Sequence, residues 1–291
     1  MKASLLYGPM DLRMGEVEDP VPGPGQVLVR VRTTGICGSD VHFYNGDRPV
    51  PYPRILGHEF AGDIVALGEG VQGLEPGMRV TAEPNFWCGQ CHYCRAGRQN
   101  LCLNRVGLAV DVHGTLAEYV VVPARFVWPL PETVSYAQGA MVEPLMVGLH
   151  GVFRSGARVG DTVAILGCGT IGLMWLLAAR SAGCRVLAID VIPDKLDLAK
   201  RLGAEKTFLG SRDDLLEAVK ATTDGLGPDI VVETAGVPVT ARASSSSARE
   251  ATGTNSAWGK PLERSQDFSR RRCWQMCSTR GSGFAGTRAA R

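Results

Sequence analysis

The sequence predicts an α/β protein with an all-β part: an antiparallel β-barrel unit over residues 1–150, then a doubly wound parallel α/β unit over residues 151–240 that is incomplete. Three observations predict this. Residues 1–150 contain short alternating apolar runs broken by glycine and proline, the pattern of half-buried antiparallel strands. From residue 151 onward, apolar runs, glycine turns and helical stretches alternate, which is the pattern of a parallel sheet with crossover helices. After Thr240 the composition changes and the pattern stops.

In the first unit, residues 26–34, 62–70 and 118–122 alternate and are expected as barrel strands. Between them, over about residues 84–104, Cys88, Cys91, Cys94 and Cys102 form a compact lobe, with two residues separating each of the first three. Such gaps let a tight turn fold successive thiolates onto one ion at about 2.3 Å, and four sulfurs are the donor set of structural zinc. Gly89 and Gly97 help the loop to turn. Disulfides or buried thiols are the alternative, but no secretory signal precedes the cysteines.

A closed four-thiolate site leaves no position for a substrate. A second cluster offers one. Cys37 lies in Gly-Ile-Cys-Gly-Ser-Asp-Val-His over 35–42, His58 and Glu59 follow Gly57, and Glu143 opens a Glu-Pro-Leu-Met-Val-Gly-Leu-His run. One thiolate, one imidazole and one carboxylate make a three-ligand site with an open position, the arrangement of catalytic zinc. His92, His113 and His150 are read as structural or exposed.

The second unit opens on a buried strand at 161–166, then Gly167-Cys168-Gly169-Thr170-Ile171-Gly172, then a helix at 173–182 and a strand at 185–189. This is the setting that a dinucleotide loop requires, with pyrophosphate approaching the glycines at the helix N-terminus. Asp190, eighteen residues past the last glycine, is placed to accept a ribose 2′-hydroxyl and would repel a 2′-phosphate, which favours NAD over NADP. Lys195 either covers the ribose edge or is a solvated helix charge, and Cys168 is read as a packing residue. Helices at 193–202 and 213–221 and strands at 206–209 and 229–233 complete the visible unit.

Over residues 1 to about 240, these motifs resemble the zinc-dependent medium-chain alcohol dehydrogenases, and within them the sorbitol and polyol branch that also holds sugar-phosphate dehydrogenases. The resemblance implies a GroES-like barrel, a Rossmann domain, two zinc ions and NAD. In the family, the positions matching Cys37, His58 and Glu143 bind the catalytic zinc, with Glu59 in or beside the ligand set. Ser39 falls where a hydroxyl meets the substrate oxygen, His42 at the far end of a proton relay, and Asp40 where a carboxylate steadies the zinc-bound imidazole. Hydride would pass from a secondary alcohol of a polyol, sugar phosphate or diol to NAD. A threonine-type enzyme is a close relative, although Glu143-Pro144-Leu145 matches the polyol branch better. Family members are usually homo-oligomers, and the strands through which they pair are expected to be missing here.

Composition bounds the remainder. With 291 residues and 45% hydrophobic content the chain can bury a sizeable core, and no apolar run is long enough to span a membrane. A cytoplasmic enzyme is expected. Residues 241–291 hold one leucine, Leu262, and neither valine nor isoleucine; their ten Lys or Arg against three Asp or Glu give +7 and leave −5 for residues 1–240. Such a segment is expected to be a disordered tail, the product of a truncated or frame-shifted reading, and to supply no strand. One alternative is therefore an inactive remnant that binds zinc and nucleotide. Another, a nucleic-acid-binding zinc protein suggested by Arg270-Arg271-Arg272, is set aside because the body is acidic.

Overall fold

The computed structural model describes residues 1–236 and the strand backbone at 272–275, and the chain divides between Glu143 and Pro144 into two compact units.

The first unit contains the strands β1 (Lys2–Gly8), β2 (Asp11–Glu16), β3 (Gln26–Gly35), β4 (Arg54–Ile55), β5 (Glu59–Leu67), β6 (Arg79–Ala82), β7 (Asn85–Phe86), β8 (Val106–Gly107), β9 (Tyr119–Pro123) and β10 (Val127–Pro129). Its main sheet is antiparallel in the order β10-β6-β5-β3-β9, beside a smaller β2-β1-β4 sheet. Alternation along the strands turns Val27, Val29, Phe60, Ile64, Val80, Val120 and Val122 into one buried cluster with Phe86 and Phe126, each side chain contributing about 1.5–3 kcal/mol of burial. The strand expected at 62–70 begins earlier, because the β3–β5 ladder starts at Gly35↔Glu59. The pair β7–β8 closes the base of the cysteine lobe through Asn85↔Gly107 and Phe86↔Val106.

Four helices belong to this part of the chain: α1 (Gly38–Asn45), α2 (His92–Arg95), α3 (Tyr136–Ala140) and α4 (Val142–Ser155). Sequence reading assigned none of them. The helix α4 runs through the division between the units, so the boundary expected at residue 150 falls inside a continuous helix.

The second unit contains β11 (Thr162–Leu166), β12 (Arg185–Asp190), β13 (Lys206–Leu209), β14 (Ile230–Glu233) and β15 (Arg272–Gln275), with helices α5 (Thr170–Ser181), α6 (Pro193–Arg201) and α7 (Leu215–Thr222). All five strands are parallel in the order β13-β12-β11-β14-β15. The order reverses between β11 and β14, which makes a switch point where such sheets bind ligands. One face of the sheet packs Val163 and Ile165 under Trp175 of α5 and Leu196 of α6. The other packs Ala164 and Leu166 with Phe208 and Val219 of α7. Both faces of β11 are thus covered, and all five of its residues are buried, as its unbroken apolar run requires.

The tail expectation is corrected at one place. Arg272–Gln275 pairs with β14 from Ile230↔Arg272 to Glu233↔Gln275. Parallel pairing at a sheet edge uses backbone groups, so the scarcity of apolar side chains does not forbid it. The rest of the predicted tail, including Arg270 and Arg271, lies outside the described residues. Among the described residues, no helix is long and apolar enough to cross a membrane.

Helices α4 and α5 approach closely through glycine. A Cβ on Gly148 would lie 2.6 Å from the Met174 carbonyl carbon, and one on Gly151 would overlap the fully buried Trp175 indole. Gly151→Ala is therefore expected to destabilise the second unit by about 1–3 kcal/mol, the usual cost of overpacking. Chemical denaturation followed by Trp fluorescence measures this; an unchanged midpoint would mean that the two helices part at no cost.

Candidate active site and metal centres

The lobe cysteines converge as their spacing predicts. The sulfurs of Cys88, Cys91, Cys94 and Cys102 all lie within 4.8 Å of one another. Gly89 and Gly97 turn the loop with φ of 78° and 70°, values that only glycine adopts without strain. The Cys88 sulfur accepts from the backbone N–H of Gln90 at 3.5 Å and of Cys91 at 3.4 Å, and these bonds hold its pKa down to about 6. Backbone N–H groups of Cys94 and Leu103 lower Cys91 in the same way. Burial pushes the Cys94 thiol the other way, up to about 12, and four convergent sulfurs whose charge a cation would offset fit a tetrahedral soft-metal site.

The second cluster is built at the ends of two strands. After β3 the chain enters α1 with Cys37 at the N-cap, φ −81° and ψ 155°. Asp40, one turn into the helix and only 3% exposed, accepts from the Cys37 N–H at 2.9 Å and from the Gly57 N–H at 3.0 Å. The same carboxylate lies 3.7 Å from His58 Nδ1. One buried side chain thus ties the segment carrying the thiol to the segment carrying the imidazole.

Ligand-capable atoms of Cys37, His58 and Glu59 all fall within 4.8 Å of one another. Glu143 stands outside that close set but acts on it electrostatically, since its charge raises the His58 pKa. Burial acts against a charged His58, but a hydrogen bond to Cys37 and the charges of Asp40, Cys37 and Glu143 lift it to about 9. Burial pushes the carboxyls of Glu59 and Glu143 upward. Two carboxyls driven toward neutrality beside a thiol and an imidazole form an environment that a divalent cation would compensate. The donor set, one sulfur with nitrogen and oxygen, matches zinc.

Glu59 is held in place by an absence. It pairs across the ladder with Gly35, and a Cβ on Gly35 would overlap its Oε2. Sequence reading missed Gly35 because its φ is ordinary and the requirement arises only from the opposite strand.

Ser39 and His42 lie three residues apart on α1 and are both partly buried, the spacing of one helix face. His42 Nδ1 is 3.0 Å from Asp47 Oδ2, a partner that sequence reading did not name. His113 is structural, its Nδ1 accepting from the Ile55 N–H at 3.2 Å.

In the second unit the glycine loop has the expected form. Gly167 has φ 97°, and its Cβ would meet the Ala235 backbone nitrogen at 2.7 Å; a Cβ on Gly172 would overlap the Gly167 carbonyl. Gly169 has open space around it and caps α5 without a side-chain bond, so the helix N-terminus presents its amides to an anion. Thr170 and Ile171 begin α5. Asp190 ends β12 with Oδ2 accepting from the Cys168 N–H at 2.7 Å and Oδ1 from the Ile192 N–H at 2.9 Å. Both bonds fix the loop. Burial pushes the Cys168 thiol up to about 12, as befits a packing residue, while the charge of Lys195 on α6 pulls the other way.

Comparison with known proteins gives the family of the chain. The family model for the alcohol dehydrogenase GroES-like domain matches residues 23–132, and that for zinc-binding dehydrogenase matches residues 170–290, past the compositional break at Thr240. Sorbitol dehydrogenase of Bacillus subtilis is 36% identical over 255 residues, covering 86% of this chain and 72% of that protein. L-threonine 3-dehydrogenase of Bacillus velezensis is 40% identical over 228 residues, covering 76% and 66%. A zinc-binding dehydrogenase structure from Sinorhizobium meliloti, solved with NADP, superposes with a TM-score of 0.79 at 41% identity over 82% of this chain and 71% of that one. An Escherichia coli alcohol dehydrogenase solved with NADH gives 0.77 at 35%, covering 84% and 72%. The chain therefore belongs to the zinc-dependent medium-chain alcohol dehydrogenases, in the branch that includes sorbitol dehydrogenase.

Proposed function

We propose that this chain oxidises a secondary alcohol of a polyol, sugar phosphate or diol with NAD, using Cys37, His58 and a carboxylate to hold the catalytic zinc. The observation that carries the reading is the convergence of Cys37, His58 and Glu59 within 4.8 Å beneath a buried Asp40. Glu143 completes the ligand set or stands beside Glu59 as its partner. Cys88, Cys91, Cys94 and Cys102 hold a second, structural ion. A cytoplasmic location belongs to the same reading.

When bound, zinc supplies Lewis-acid polarisation of an alcohol oxygen. The remaining work falls to the chain. Asp40 fixes the His58 ring from the Nδ1 side, which leaves Nε2 as the coordinating nitrogen. Ser39 Oγ would take the hydroxyl proton as its own proton passes toward His42, which carries it outward; His42 Nδ1 is engaged by Asp47, so Nε2 is the free position. A bound nicotinamide would supply the acceptor for the carbon-bound hydrogen as hydride. Gly167, Gly169 and Gly172, with the amides of Thr170 and Ile171, would cradle the pyrophosphate, and Asp190 and Lys195 would border the adenosine ribose. NADH formation across a panel of polyols, diols and L-threonine tests the substrate class. Turnover confined to L-threonine would replace the polyol reading by the amino-acid one, which the similarity to the threonine enzyme keeps in view.

The two ions should differ in lability. The four-thiolate site is closed, whereas the Cys37 site keeps an open position, so brief chelation is expected to remove the second and spare the first. Metal analysis before and after chelation checks this, with a fall from two zinc ions toward one per chain expected on the family pattern. Retention of both would contradict the open site.

Gly35→Ala should act on the same ion. Displacing Glu59 is expected to lower zinc content by about one ion per chain while the lobe stays loaded. Full metal content in that variant would show that Glu59 is dispensable.

Asp190→Ser removes the charge that opposes a 2′-phosphate and one anchor of the glycine loop. Both cofactors should weaken, NAD more, so that the NADP-to-NAD ratio of kcat/KM rises by about tenfold or more. A wild-type enzyme that prefers NADP would mean that Asp190 does not face the ribose.

A further inference from the structure

The face of the five-stranded sheet opposite Val29, Ile64 and Val80 carries charge that neither metal centre nor the dinucleotide loop uses. Strand register sets Arg30 beside Asp63 and Asp63 beside Arg79 across β3, β5 and β6, and residues directly opposite share a face. Arg32, two residues along β3, joins them. Together with Tyr136 of α3 they line a shallow, open concavity of about 570 Å³.

The charges in it do not balance. Asp63 is the one acidic residue of the lining. Its Oδ2 takes the Arg32 Nε at 2.6 Å and its Oδ1 the Tyr136 hydroxyl, and the charges of both Arg32 and Arg79 act on it. Arg79 donates to the carbonyls of Glu132 at 3.2 Å and Val134 at 2.5 Å and lies 4.4 Å over the Tyr136 ring. Those partners orient its guanidinium but cancel none of its charge. Arg30 is exposed and forms no ion pair among the described residues. One carboxylate thus faces three guanidiniums, and the lining keeps an excess of two positive charges, with the Arg79 guanidinium pre-oriented.

We propose that this concavity binds a small dianion of the phosphate monoester class. A phosphate monoester carries close to two negative charges and several acceptor oxygens in one compact group, which suits two guanidinium forks, and arginine is the residue best shaped for it. The volume also accommodates a small organic body attached to the phosphate. The site belongs to the first unit and is separate from the glycine loop, which belongs to the second.

Calorimetric titration of the full chain with inorganic phosphate, at constant ionic strength, tests this in wild type, Arg30→Glu and Arg30→Lys. Arg30 is exposed, so both variants should keep the wild-type circular dichroism and zinc content. Saturable binding is expected in wild type, about tenfold or more weaker in Arg30→Glu and within about threefold of wild type in Arg30→Lys. Phosphate held at the glycine loop is common to all three proteins and is identified by its displacement with NADH. Absence of saturable binding in wild type overturns the proposal. So does binding that NADH displaces and Arg30→Glu leaves unchanged. If Arg30→Glu loses its fold, Arg30→Gln, which removes only the charge, gives the same reading with an intermediate loss.

Discussion

The first unit's chemistry depends on one buried carboxylate. Asp40 accepts from the N–H groups of Cys37 and Gly57, so a single side chain sets the distance between the segment after β3 and the segment before β5. Leaving a buried backbone donor unsatisfied costs about 1–3 kcal/mol. Two such donors on one carboxylate make the joint expensive to open. The ladder supports it from the other side, where Gly35 opposite Glu59 leaves room for the Glu59 carboxylate. The close grouping of thiol, imidazole and carboxylate follows from this joint more than from any one strand.

The second unit solves the same problem in the same way. Asp190 accepts from Cys168 within the glycine loop and from Ile192 after β12. At the neighbouring strand end, the fully buried Glu233 accepts from Ala235 at 2.8 Å and Gly236 at 2.9 Å through Oε1. Thr234 donates to the Gly167 carbonyl at 2.7 Å. Functional loops carry backbone groups that no ladder satisfies; here carboxylates at strand ends satisfy them, and charge-assisted bonds of this kind are stronger than neutral ones.

Much of this was legible in the sequence. The first four strands of the second unit were found almost to the residue, since buried parallel strands read as unbroken apolar runs and the glycine motif fixes their phase; β15, at the sheet edge, was not. The four lobe cysteines converge because their spacing leaves the chain little choice. Legibility failed where tertiary contacts decide. The helix α1 is short and mixed in composition, and its Cys37 N-cap is unusual; α4 contains Pro144, Gly148 and Gly151, which count against a helix until Trp175 is seen to need those glycines. Spacing does not show that Glu59 lies in the close set and Glu143 outside it. Asp47, the partner of His42, lies in the turn after α1 and carries no motif.

The central claim is that one ion is held by four sulfurs and a second by Cys37 with nitrogen and oxygen. X-ray absorption at the zinc edge of the purified protein tests it directly. Five thiolates shared between two ions predict a mixed shell, with sulfur scattering at about 2.3 Å and nitrogen or oxygen at about 2.0–2.1 Å, and a histidine outer-shell signature. A shell of sulfur alone would show that the Cys37 and His58 cluster does not hold zinc and would contradict the claim.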